Sequence, residues 1–282
     1  MTKNRIQILK EKMLSQPRYV SIEQALIITK TYKQHENEPI ILKRAYALAN
    51  ALRELEIGIE NEELIVGNRT KGVRYGVVFP ESGISWVDRE FETISTRKQD
   101  KFLVRDEDIK IFREQIVPYW KGKSLEDVIK QNFGKEISAI NKVVKINQTD
   151  HAQGHICPNV EKWLQKGVSG LLEDAQNHYE NADEDKKNFY QAIIIVMKAV
   201  QNFMLRYHDL LIATAKDDEK NRASLIKVAD ICKNISQRPP QTFHEAVQAT
   251  WFLFVILHME SNASSFSPGR LDKILYPYYI KD

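Results

Sequence analysis

Cysteine is scarce in this chain: 282 residues hold only two, Cys157 and Cys232. That number and spacing exclude a disulfide framework and supply no zinc-type ligand set. They fit a reduced compartment, so a cytoplasmic protein is expected. Long apolar runs are missing too. The longest, Thr250 to Met259, is about half the ~20 residues that cross a bilayer, and no membrane span is expected. Charge of one sign is not in excess. With 41 Lys+Arg against 38 Asp+Glu the net charge is +3, and the two signs are interspersed. No basic face for nucleic acid results. The N-terminal segment MTKNRIQILKEKML is amphipathic and charged, without the apolar core and small-residue cleavage site of a secretory signal. Glycine and proline are sparse, at 11 and 9, and they cluster in one place. Gly67, Gly72, Gly76, Pro80 and Gly83 make Gly67 to Ser85 a long irregular connection, and such connections are commonly functional or ordered by a neighbour.

What remains reads as helix. Ile22, Ala25, Leu26, Ile28, Thr29 and Tyr32 recur at three and four residues, with Ser21 as a cap. Pro39 opens a second run through Leu52. Glu63 to Val66 reads as a strand or extended loop. Asp106 to Trp120 is a helix with Pro118 near its end. Ser124 starts another as a capping box with Asp127 at the third helical position. Pro158 opens a helix that ends near Gly167, and Lys186 to Ala215 and Asn221 to Cys232 follow. Pro239-Pro240 is a stiff joint. Thr242 to Met259 is apolar all round in its far half, which predicts a buried helix. The fold class is mainly α with few short strands. Cys232 sits at apolar spacing in its helix and is expected to pack in the core.

The buried helix runs into a polar tract, Glu260-Ser261-Asn262-Ala263-Ser264-Ser265-Phe266-Ser267-Pro268-Gly269-Arg270-Leu271-Asp272, followed by Tyr276-Pro277-Tyr278-Tyr279. A buried element ending in clustered hydroxyls delivers polar groups to an enclosed pocket. Each such group must find a partner or cost about 1–3 kcal/mol. A second polar cluster is Asp150-His151-Ala152-Gln153-Gly154-His155. From the residues alone, His151 and His155 read as loop histidines satisfied by backbone, or as metal ligands with Cys157 nearby; Gly154 and Pro158 argue against the regular helix that would align them. Ser264 and Ser265 read as helix-terminal capping hydroxyls or as ligand-facing groups. Arg270 and Asp272 read as a buried, bidentate structural pair.

The polar tract, the Asp150–His155 segment, Glu63-Leu64-Ile65-Val66-Gly67, Val78-Phe79-Pro80-Glu81 and Ser21-Ile22-Glu23-Gln24-Ala25 together resemble the glycyl radical enzymes, the pyruvate formate-lyase-like and glycerol dehydratase-like family. The motifs stand in family order across nearly the whole chain, with departures at Ala263, Ser264 and Lys273. The resemblance implies that residues 1–282 are a partial pyruvate formate-lyase-like domain, the helical N-terminal portion of the family's α/β barrel. It implies substrate-binding roles for His155, which matches a substrate hydrogen-bonding histidine of some members, and for His151, Ser264 and Ser265. Ser264 replaces a histidine of the diol-dehydrating pattern, while Ser265 matches it. Neither the Gly-Cys-x-Glu loop of the family's thiyl radical nor the Arg-Val-x-Gly-Tyr loop of its glycyl radical occurs. No catalytic residue and no metal ligand is therefore assigned, no cofactor is expected on this chain, and a chain without the two loops is expected to be inactive alone. For the full-length protein the resemblance implies a glycyl radical installed by a radical-SAM activating enzyme, a small polar substrate and a homodimer. The competing expectation is a non-catalytic helical interaction module or pseudoenzyme.

Overall fold

The structure is a computed structural model that describes residues 4–144, 155–262 and 265–282. Helix α1 (Arg5–Ser15) starts at a capping box, in which Asn4 Oδ1 accepts from Gln7 N–H at 2.9 Å and the Gln7 side chain accepts from Asn4 N–H. Strand β1 (Tyr19–Ser21) leads into α2 (Glu23–Gln34) and α3 (Ile40–Glu54), the latter entered through Pro39. Ser21 falls in β1 rather than at the cap. Its hydroxyl still accepts from Glu23 N–H at 3.4 Å, so the capping expectation is displaced by one residue.

The Gly-rich connection is less irregular than expected. Strand β2 (Tyr75–Val77) lies inside it and pairs in parallel with β1, and α4 (Ser85–Glu90) closes it. Then α5 (Asp106–Ile111), a π-helical turn over Phe112–Ile116 and α6 (Val117–Trp120) run on from one another. Pro118 sits in the first turn of α6, where its missing N–H leaves no hydrogen bond broken. Helix α7 (Leu125–Ile140) is capped by Ser124, which accepts from Asp127 N–H at 3.2 Å.

Strand β3 (His155–Ile156) precedes α8 (Val160–Glu180), whose cap is Asn159 rather than Pro158. Gly167 breaks α8 at φ 63°, as the sequence suggests, but the helix resumes and runs to Glu180. The break has a packing cause: a Cβ at Gly167 would stand 2.9 Å from the backbone of Pro239. The stiff Pro239-Pro240 joint thus crosses α8 at the one residue that lets it pass.

Helices α9 (Glu184–Asp217), α10 (Arg222–Gln237) and α11 (Phe243–Glu260) complete the main body, followed by strand β4 (Ser265–Phe266) and α12 (Leu271–Tyr279). At 34 residues, α9 spans about 50 Å. It is the spine against which α3, α8 and α10 pack. Its fully buried Phe203 and Tyr207 meet Phe252 of α11, with ring centroids 5.1–5.8 Å apart. This bundle core includes Cys232, whose thiol is pushed up to about 12 by burial, as fits a packing residue rather than a nucleophile. A second core gathers Ile28 and Tyr32 of α2, Val20, Val78, Ile84, Phe91, Phe112 and Trp120. Among the described residues no helix is long and apolar enough to cross a membrane.

One expectation for α11 needs correction. Phe252, Val255, Ile256 and Met259 are buried, but Trp251 is 38% exposed. A helix apolar all round gives no sign of which face its own chain covers. Here one side of α11 meets the bundle and Trp251 lies on another, its indole N–H donating to Gly67 C=O at 2.8 Å.

Candidate functional site

Helix α11 positions the polar groups, and it is fastened along two stretches. The segment 64–67 lies extended against its flank. A ring nitrogen of His244 meets Leu64 C=O at 2.6 Å, the Gln248 amide pairs with both Val66 N–H and C=O at 2.8 and 2.7 Å, and Trp251 reaches Gly67 C=O. The spacing of these three side chains, four and then three residues, puts them on one helical face. Gly67 is required at the end of this strip. Its φ is 128°, and a Cβ would stand 3.1 Å from the Phe252 ring. Tyr207 then donates to, and accepts from, the backbone of Asn68.

The C-terminus of α11 is closed by side chains from three separate elements. The last carbonyls of a helix lack intrahelical donors. Here Leu257 C=O accepts from Ser261 N–H, His258 C=O from Arg69 Nη1 at 3.2 Å, Met259 C=O from Gln24 Nε2 at 3.0 Å, and Glu260 C=O from Arg44 Nη2 at 3.0 Å. Arg44 also pairs with the Glu260 carboxylate. Two guanidinium groups at the negative end of the helix dipole reinforce the cap. Burial pushes the Arg69 guanidinium down. That of Arg44 is opposed by burial, but its bond to Glu260 outweighs burial and holds it up. The helix therefore stops at Glu260, and the polar tract leaves it from a fixed point.

Beyond that point the tract meets the other polar cluster. Strands β3 and β4 pair in parallel, with His155 in register with Ser265 and Ile156 with Phe266, and Ser267 N–H donates to Ile156 C=O at 2.8 Å. Phe266 anchors the ladder by standing edge-on to Phe254 of α11, centroids 5.3 Å apart. His155 and Ser265 are thus brought side by side, on a ladder of two residues. His155 is exposed. Ser265 is half-buried, and its Oγ is covered and finds no hydrogen-bond partner. The other two expected site residues, His151 and Ser264, lie outside the described residues.

Arg270 and Asp272 do form the expected fork, Nε and Nη2 onto the two carboxylate oxygens at 2.8 and 2.5 Å. They are not buried, however: the side chains are 69% and 63% exposed. The pair closes the turn at Gly269 that starts α12, and no core covers it.

Glu81 and Ser82, in the Gly-rich connection, escaped the sequence reading as site residues. Glu81 Oε2 and Ser82 Oγ are covered and have no partner. The Glu81 carboxyl is pushed above its ordinary value of 4.5 by burial, although Arg44 draws it down. The one available signal was the concentration of glycine around them.

Comparisons with known proteins bear on the whole chain. A profile described as pyruvate formate lyase-like matches residues 1–282. A probable dehydratase, YbiW, of Escherichia coli strain K12 is 34% identical over 275 residues, covering 93% of this chain and 34% of its own. The (2S)-3-sulfopropanediol dehydratase of Klebsiella oxytoca is 29% identical over 295 residues, covering 99% and 36%. Among solved structures, the glycerol-bound B12-independent glycerol dehydratase of Clostridium butyricum superposes with a TM-score of 0.93 at 32% identity, covering all of this chain and 37% of that one. A glycyl radical enzyme of Archaeoglobus fulgidus gives 0.92 at 33%. The chain spans about a third of the length of these relatives. The mainly helical architecture, the stitched α11 and the matched profile agree, and the chain belongs to the pyruvate formate lyase-like family of glycyl radical enzymes, whose N-terminal portion it matches.

Proposed function

We propose that residues 1–282 form one wall of the substrate pocket of a glycyl radical dehydratase or lyase that acts on a small hydroxylated substrate. The observation that carries this reading is the register of β3 with β4, which sets His155 beside a covered Ser265 hydroxyl that has no partner. An imidazole offers a donor and an acceptor, and a hydroxyl offers both from one atom. Together they suit a substrate hydroxyl. A covered Ser265 Oγ left alone costs about 1–3 kcal/mol, which a bound substrate oxygen would recover. His151 and Ser264 are proposed to complete the set. The relatives named as dehydratases support the reaction class.

The radical chemistry belongs outside this chain. The sequence holds neither a Gly-Cys-x-Glu nor an Arg-Val-x-Gly-Tyr loop. In this reading the full-length protein is a homodimer whose glycyl radical, installed by a radical-SAM activating enzyme, supplies the hydrogen-atom abstraction. The residues described here bind and orient. The 282-residue chain, incubated anaerobically with an activating enzyme and S-adenosylmethionine, should give no glycyl radical doublet in electron paramagnetic resonance. In a polypeptide that joins this chain to the radical loops, His155→Ala and Ser265→Ala should each lower kcat/KM by about tenfold to a hundredfold. An unchanged specificity constant in both variants would make them structural residues and end the proposal.

A further inference from the structure

A cavity of about 250 Å³ lies away from the His155–Ser265 ladder, between the β1–β2 pair, α4 and the Gly-rich connection. Val20, Phe79, Trp86, Phe91 and Phe102 make its walls. The one strongly buried polar side chain in it is Ser82, 3% exposed, whose Oγ has no hydrogen-bond partner. The rest of Ser82 is fixed on both sides. Its N–H donates to Phe79 C=O at 3.1 Å, and its C=O accepts from Glu126 N–H at 3.0 Å. Only the hydroxyl is left over, and it cannot leave the cavity without breaking those bonds.

The two ionic groups on the wall, Glu90 and Arg97, are paired with each other. A charged ligand would find no spare counter-charge there. Asn262, at the start of the polar tract, closes one side. An apolar cavity of about 150 Å³ is enough for a benzene ring, so this one has room for a ring and a short polar arm. We infer that the cavity is a binding site for a small neutral alcohol: an apolar body of about one ring against the four aromatic side chains, and one hydroxyl on Ser82 Oγ. The site is independent of the proposed substrate wall.

Benzyl alcohol and toluene, titrated separately into the 282-residue chain, test it by ligand-observed NMR, with Trp86 fluorescence as a second readout. Benzyl alcohol should bind saturably and about fivefold to tenfold more tightly than toluene, the worth of one hydrogen bond. Ser82→Ala should erase that preference while leaving toluene binding in place. Val77→Phe, from the part-exposed strand β2, should fill the cavity and abolish both. His155→Ala should change neither. If the folded chain, verified by circular dichroism, binds neither compound, the inference is overturned. Equal binding of the two to the wild type overturns it also, since Ser82 is then satisfied by water alone.

Discussion

Glu245 and Glu81 are both covered carboxylates, and they differ in what meets them. Glu245, in the first turn of α11, receives a bidentate fork from Arg238 at 2.8 and 2.9 Å, the Asn234 amide at 3.1 Å and the Gln241 N–H at 2.7 Å. Burial alone would raise its carboxyl, but these donors outweigh it and hold the group below its ordinary value. Glu81 has burial without such a set, and its carboxyl is pushed up. The same contrast separates the two cores. The covered side-chain atoms without partners are Gln24 Oε1, Glu81 Oε2, Ser82 Oγ, Glu126 Oε2 and Ser265 Oγ. Not one lies within α8, α9, α10 or α11. The bundle satisfies itself; the loop-rich side and the polar tract leave groups waiting, where a ligand or a neighbouring segment can be bound.

Breaking the satisfied side should cost most. Glu245→Ala strands the Arg238 guanidinium, which is about a third exposed, and should destabilise the chain by about 2–3 kcal/mol in urea unfolding. A cost near zero would mean the network adds nothing over solvent. Next is Gly167→Ala. It combines a left-handed backbone with a contact against Pro239 and should cost about 2 kcal/mol by the same measurement.

Glu81→Gln should act in the opposite direction and more weakly. A carboxyl raised in the folded state binds a proton more readily there than when unfolded, so stability falls as pH rises from 4.5 toward the folded value. The variant should therefore melt higher than the wild type at pH 7 and lose its advantage at about pH 4. Glu245 has the reverse slope: its contribution is present above 4.5 and is lost as pH falls through its depressed value. Thermal melts of Glu81→Gln that track the wild type at both pH values would remove the distinction between the two carboxylates. Smallest of all, Arg270→Ala should leave the unfolding midpoint within error, because the Arg270–Asp272 pair is solvated.

Helices were legible in the sequence wherever periodicity and caps agreed, as at Pro39, Ser124 and the long run that became α9. The misses have identifiable causes. A continuation of α8 past Gly167 depends on Pro239 crossing it, and no local pattern encodes a crossing. The exposure of Trp251 and of Arg270 depends on which surfaces the rest of the fold covers, and side-chain type alone does not say. The neighbouring placement of His155 and Ser265 was expected from resemblance, and its means, a two-residue parallel ladder, has no periodic signature at that length. The closure of α11 by Arg44, Arg69 and Gln24 was not foreseen at all. It joins three distant segments through main-chain carbonyls, which every residue possesses.

The β3–β4 ladder has a consequence for the order in which the chain folds. It closes a loop of roughly a hundred residues, an entropy cost of about 4 kcal/mol, which two residues of backbone pairing cannot meet by themselves. The intervening helices α8 to α11 must already be packed for the ends to meet. His155 and Ser265 should accordingly be among the last neighbours formed in refolding and the first separated in unfolding, so that pairing can be lost while the bundle core is still intact.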